Sequence, residues 1–263
     1  MRIVRYLVWV ALLPAGLAEA AEPSWALPED PQAVVIELRV AEQRQLSSSV
    51  PAHSRSLRIQ RCGEVVLRDS GAKTDIGGRL AESELRNLLD DIVDRQRMLE
   101  LTTDSLTRRL SAEAERTGKD WRVRNAPIAS VRIALAGATH SFDCPTPDLL
   151  RTRFPGVEEL IRVCAILHRL QNVAAVAQVG GPQEAERLAA LATAELKRQN
   201  GTNMRITPRD LLNVRGAAGD LRQVQFVVDP ELRGEQGSAI HISVMESSGA
   251  APRVSMTPIA KPL

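Results

Sequence analysis

Aromatic residues are scarce: Phe, Trp and Tyr make up 3% of the 263 residues. A core must therefore be built from Leu, Val, Ile and Ala, and stacking platforms for bases or sugars are not indicated. A charge excess is lacking as well. The 34 basic and 32 acidic residues leave a net charge of +2, with Arg2 and Arg5 both in the N-terminal segment. That leaves no basic field for nucleic acid or an anionic membrane. Cysteine occurs three times, enough for one bridge with one thiol left over. No G-x-S-x-G elbow occurs, and beyond the first twenty residues no run reads as apolar enough to cross a bilayer. What is present is ordinary for a globular protein, with 44% hydrophobic and 25% charged residues. The length suits one large or two medium domains.

Residues 1–20 read as a signal peptide. MRIVR is the positive start, YLVWVALLPAGL the short apolar run, and Ala18-Glu19-Ala20 a small-x-small cleavage site. An uncleaved anchor is the alternative. No cysteine directly follows the apolar run, so a lipid anchor is not indicated. The expected mature chain starts near Ala21 in an oxidising compartment, periplasmic or secreted. Residues 21–31, rich in proline, are expected to be an exposed leader.

Residues 34–101 carry the main pattern. Val34–Val40 alternates, with Val35, Glu37 and Arg39 facing one way and Val34, Ile36, Leu38 and Val40 the other, which predicts a half-buried strand. Leu57–Gln60 and Val65–Arg68 predict a hairpin turning at Cys62-Gly63. From Ala81 a helix is predicted through Leu101, with Leu80 and Leu85 as a hydrophobic staple and Glu84 at the third position. Its buried stripe is Leu85, Leu88, Leu89, Ile92 and Met98 or Leu99. Arg86, Asp90, Asp91, Asp94 and Arg97 form a solvated face.

A second hairpin–helix run comes next. After a thin-faced helix at Asp104–Thr117, a hairpin turns at Ala136-Gly137. A helix over 156–171 then buries Val157, Leu160, Ile161, Cys164 and Leu167. Gly180-Gly181-Pro182 marks a boundary. Beyond it come a helix over 183–199, a turn or two of helix at Thr207-Pro208-Arg209-Asp210, and three strand-like runs over 223–228, 239–245 and 253–256.

Three clusters could carry chemistry. His140-x-x-x-Cys144 and Cys164-x-x-x-His168 resemble a tetrahedral zinc set, the second pair being i, i+4 on a helix. A disulfide is the better use of the thiols: Cys144–Cys164 flank one strand-to-helix connection and are preferred, Cys62–Cys144 comes next, and Cys62 is the candidate odd thiol. A Cys144 nucleophile with a His140 base is the third reading, and nothing supplies its oxyanion hole. Asp90-Asp91 reads as solvated surface. Asn200-Gly201-Thr202 matches a glycosylation sequon.

GRLAESELRNLLDDIVDRQRMLEL and RFPGVEELIRVCAILHRLQNV, then a helix, ITPRDLLNV and VQFVV, resemble stretches of uncharacterised secreted bacterial proteins. That resemblance brings no activity and no site residue. The part from Pro182 onward resembles a cystatin-like α+β unit. The Q-x-V-x-G loop of cystatin inhibitors is missing, because Gln178-Val179-Gly180 lacks its spacing and precedes the helix.

These readings predict an α+β protein with antiparallel sheets, each covered by helices on one face. Two β-hairpin–helix units lie in residues 32–175, their halves sharing one sheet, and an α-β-β-β unit lies in residues 182–258. The expected function is that of an exported, non-enzymatic binding or envelope-associated protein without a cofactor. Its partner is a protein or envelope component, with no nucleic acid and no membrane-spanning segment once the signal is removed. A free sheet face, if apolar, is the expected partner site. The alternative is a small hydrolase or zinc-dependent enzyme centred on His140, Cys144, Cys164 and His168.

Overall fold

The computed structural model describes residues 25–41, 54–70, 75–200, 204–216, 221–228, 239–247 and 249–258. The expected signal peptide, the first residues of the expected leader and Gly201-Thr202 of the sequon lie outside them.

The chain is α+β, 41% helical and 33% strand, with two antiparallel sheets. The first sheet grows outward from β1 (Val34–Ala41), whose β-branched residues suit a central strand. On one side stand β2 (Ser54–Gln60), β3 (Glu64–Asp69) and β4 (Ile76–Arg79). On the other stand β5 (Ile128–Leu135) and β6 (Ala138–Pro145), giving the order β4-β3-β2-β1-β5-β6. The two hairpin–helix halves therefore share one sheet, joined through the β1–β5 ladder. The short strand β4 is not expected from the sequence. Its pair Gly77-Gly78 lacks β-propensity, but a Cβ on Gly78 would stand 2.9 Å from the Ala177 Cβ, so glycine lets a helix approach there.

Both hairpin turns fall where the sequence places them. Gly63 (φ +83°) lies between β2 and β3 and Gly137 (φ +79°) between β5 and β6. The leader is not wholly exposed. Trp25 is 9% exposed and joins the core, donating from Nε1 to Asp94 at 3.1 Å. The Ala26 carbonyl accepts from Ala136, and the Pro31 carbonyl from Cys62, so this segment ties off both turns.

The helix expected over 81–101 is broken. α1 (Glu82–Leu89) starts after Ala81, whose N–H donates to Glu84 at 2.7 Å. It continues as a π-helical turn over Asp90–Arg95 and ends at Arg97, which is left-handed (φ 51°), before a 3-10 turn over Met98–Glu100. Leu85, Leu88, Leu89, Ile92 and Met98 are buried as the spacing predicts. The extra residue in the π turn shifts the helical register, and Asp91 is not on a solvated face. It pairs with Arg169 at 2.8 Å, and the two side chains are 17% and 20% exposed. Arg162 caps the broken end, donating to the carbonyls of Gln96 at 2.8 Å and Arg97 at 2.6 Å.

α2 (Thr103–Thr117) opens on Thr102, which accepts from the Ser105 N–H at 3.0 Å, and stops at Gly118. α3 (Pro147–Arg153) comes after β6.

The helix expected over 156–171 runs instead as α4 from Glu158 to Val179. It is the central helix of the molecule, packing on β3, β4 and, in the second sheet, β7. Leu160, Val163, Ile166, Leu167, Leu170 and Val173 enter the first core, while Ala175 and Val179 enter the second. Burial on more than one side explains why a single stripe misplaces Ile161, which is 41% exposed. It also corrects the expectation of no later span-like run. α4 is long and apolar enough to cross a membrane by length and composition, with mean hydropathy 1.3 over its best window, half of which is buried inside the fold. A boundary at residue 175 cuts this helix, so the two units share it.

α5 (Pro182–Asn200) buries Ala185, Leu188, Ala189, Ala192 and Leu196, the stripe read from the sequence. It covers one face of the second sheet, ordered β10-β9-β8-β7. The strands are β7 (Leu211–Arg215), β8 (Arg222–Val228), β9 (Ile240–Glu246) and β10 (Arg253–Pro258). The unit has one strand more than expected. Thr207-Pro208-Arg209-Asp210 makes only a 3-10 turn, with Asp210 accepting from the Thr207 N–H at 2.8 Å, and β7 starts at once after it.

Four charges fasten α5 to this sheet. Arg222 is 7% exposed and donates to Glu246 and, at 2.5 Å, to Glu184. Arg187 closes the square, at 2.8 Å to Glu184 and 2.6 Å to Glu246. The hydrogen bond from Arg187, with that from Arg222, outweighs burial and pulls the Glu184 carboxyl down to about 2.

Candidate functional site

The zinc set expected from His140, Cys144, Cys164 and His168 does not assemble. Among the described residues no three His, Cys, Asp or Glu side chains are placed to hold a metal. His140 and Cys144 do share a face of β6, as the alternation implies. Four residues of strand nevertheless separate them by about 13 Å, beyond both a shared metal and a nucleophile–base hydrogen bond. Cys144 is fully buried, and burial first, with the Asp148 charge second, pushes its thiol up to about 12. Such a thiol is an inert core residue. Cys164 is buried on α4 and His168 is half-buried one turn on, so packing accounts for both positions.

The expected Cys144–Cys164 bridge is not formed, nor is Cys62–Cys144: all three cysteines are separate thiols. Cys144 lies in the sheet core facing inward, whereas Cys62 stands at the outer tip of a hairpin, half-exposed.

The most distinctive polar arrangement lies elsewhere, on the first sheet's face away from the helices. Strand register fixes its members, because residues directly paired across strands share a face. Glu37 at the centre of β1 lies between Arg58 of β2 and Arg132 of β5. The row continues to Val66 on β3 and Ser141 on β6. The adjacent row reads Arg68, Ser56, Arg39, Ser130 and Asp143. The condition set for an apolar partner face is therefore not met on these rows, which are lined mostly by arginine and serine.

Glu37 organises the centre. It is 8% exposed, and its Oε1 accepts from Arg39 Nε at 3.0 Å, Arg39 Nη2 at 2.8 Å and Arg58 Nε at 2.9 Å. Burial raises the Glu37 carboxyl, but the hydrogen bonds from Arg39 and Arg58 and their charges outweigh it and hold it below the ordinary value. Arg132, opposite Glu37 on the other flank, is exposed and makes no ion pair among the described residues. Two guanidiniums thus share one carboxylate and are held by it, and that of Arg132 stands beside them with no ion pair among the described residues. Such an arrangement can bind oxyanions: each guanidinium keeps unused N–H donors, and its fork matches a carboxylate or phosphate bidentately.

The alternation of β1 already put Glu37 and Arg39 on one face. Placing Arg58 and Arg132 beside them needs the β1–β2 and β1–β5 registers, which a single strand does not encode.

Two side-chain hydrogen bonds cross the second sheet's outer face. Asn213 Nδ2 donates to Gln225 at 3.2 Å, and Gln223 Nε2 donates to Ser243 at 2.8 Å.

Comparison of the chain with protein-family models, curated proteins and solved structures finds no match in any of the three.

Proposed function

We propose that this chain is an exported, non-enzymatic binding or envelope-associated protein whose working surface is the helix-free face of the six-stranded sheet. The observation that carries the reading is the cluster on that face: Glu37 is buried among Arg39, Arg58 and Arg132, whose guanidiniums are left at the surface. Burying a carboxylate in the middle of an uncovered sheet costs desolvation without adding core. It is understandable as a means of orienting arginines for a partner. The positive start, apolar run and Ala18-Glu19-Ala20 of residues 1–20 support export. The resemblance to secreted bacterial proteins points the same way.

A photo-crosslinking residue in place of Ser141, on this face, is compared with one in place of Arg86 on exposed α1. Cells carrying each are fractionated after irradiation. The expected outcome is export, with an adduct specific to the Ser141 position in the envelope or secreted fraction. Retention inside the cell, or identical adducts from both positions, overturns the reading.

A further inference from the structure

We infer that the Arg39–Arg58–Arg132 cluster is a docking site for an acidic, extended polypeptide segment of a partner protein, which recognises the cluster through carboxylates on alternate residues. This deepens the proposed binding role and rests on it.

On the helix-free face, strand register collects five arginines (Arg39, Arg58, Arg68, Arg79 and Arg132) against three carboxylates (Glu37, Glu64 and Asp143). Toward the β4 edge the charges are already matched: Arg68 pairs with Asp75 at 2.7 Å, and Arg79 stands directly opposite Glu64. What remains is Arg39, Arg58 and Arg132 against Glu37 and Asp143, an excess of one positive charge, with Arg39 and Arg58 on Glu37 and Arg132 beside them with no ion pair among the described residues.

Spacing then selects the partner. Neighbouring strands lie about 4.8 Å apart, and residues i and i+2 along a strand about 7 Å apart. Arg58 and Arg132 flank β1 at about 10 Å from each other, and Arg39 sits roughly 8 Å from each on the diagonal. An extended segment with acids at alternate positions carries carboxylates about 7 Å apart on one side, close to this pitch. Ser56, Ser130 and Ser141, interleaved with the arginines, supply hydroxyl donors for the same carboxylates.

Other polyanions fit less well. An anionic membrane calls for about four to eight uncompensated basic residues, against three arginines around one carboxylate here. Single-stranded nucleic acid calls for stacking aromatics, and among the described residues no aromatic occupies an outward strand position on this face.

The test uses the full-length chain and a fluorescein-labelled peptide of about twelve residues alternating Ser and Glu. Binding is read by fluorescence anisotropy. Phosphatidylglycerol vesicles and an oligothymidylate serve as competing probes. Arg132→Gln is the informative variant, because Arg132 makes no ion pair whose loss would disturb the fold. Arg86→Gln, on α1, is the control. The peptide is expected to bind the native chain and to weaken on going from about 20 to about 200 mM salt. Arg132→Gln is expected to weaken it at least about fivefold with Arg86→Gln unchanged.

Absence of peptide binding, equal binding by Arg132→Gln, or tighter binding of vesicles or oligothymidylate overturns the inference. A face-specific adduct at Ser141 combined with failure of the peptide would leave the binding role standing and remove only the acidic partner.

Discussion

Asn172 on α4 donates from Nδ2 to the carbonyl of Leu211 at 2.8 Å, and from the same nitrogen to that of Pro208 at 2.7 Å. Asn172 is 6% exposed, and Leu211 opens the first strand of the second sheet. One buried amide on the central helix thus satisfies the backbone at the point where the second sheet begins.

Replacing Asn172 by leucine keeps its approximate size but takes this donor from the Leu211 carbonyl and leaves the Pro208 carbonyl only the Leu211 N–H. The expected cost is about 2–3 kcal/mol, from the penalty of stranding buried polar groups. It is read as a lower urea midpoint, and amide protons of β7 should exchange faster. An unchanged midpoint would show that water replaces the amide at no cost.

The charge square around Arg222 sets a pH dependence. Glu184 is lowered from an ordinary 4.5 to about 2. Glu246 is lowered too, because hydrogen bonds from Arg222 and Arg187 overcome its burial. A depressed carboxyl adds stability that is fully present above its unfolded value and lost as pH falls through its folded value. Stability should therefore be level above about pH 5 and fall between about pH 4.5 and 2. The share from Glu184 is on the order of 2 kcal/mol after allowance for its partial exposure. Urea titrations at several pH values check this, and Glu184→Gln should flatten that part of the curve.

The thiols should separate by accessibility. Cys62 is half-exposed at a hairpin tip, whereas Cys144 and Cys164 are buried. Ellman's reagent on the native, unreduced protein should modify Cys62 alone, and all three should react once the chain is denatured. A single reactive thiol under denaturing, non-reducing conditions would restore a disulfide.

Gly63 and Gly118 are both left-handed, at φ +83° and +69°, but only Gly63 is crowded. A Cβ there would stand 2.2 Å from the Leu80 carbonyl oxygen, whereas at Gly118 nothing lies within 4 Å. Gly118→Ala should cost about 1 kcal/mol, the ordinary penalty of that conformation. Gly63→Ala should cost roughly 3 kcal/mol or more, because backbone must move. Equal thermal midpoints for the two variants would contradict this.

Much of the fold is legible locally. The turns at Cys62-Gly63 and Ala136-Gly137 and the stripe from Ala185 to Leu196 depend on neighbours within a few residues and fall where expected, whereas the alternation of Val34–Val40 is broken by a register shift between Val34 and Ile36 that leaves Val35 buried in the core. Misreadings fall where distant packing overrides local pattern. The π turn after Leu89 and the left-handed Arg97 are held by Arg162 and Arg169, which lie more than sixty residues away. Strand β4 has almost no propensity of its own, and β7 comes directly after a capping sequence that announces a helix.

The candidate site divides the same way. The sequence by itself determined that the chain is α+β, that its core is aliphatic, and that Glu37 and Arg39 lie on one face of their strand, because periodicity and composition are properties of short segments. Only the tertiary structure decided that Arg58 and Arg132 flank Glu37, that His140, Cys144, Cys164 and His168 form no metal-holding group among the described residues, and that one helix serves two cores. Those outcomes depend on strand register and on which surfaces bury each other, and both are settled between parts of the chain that no local pattern connects.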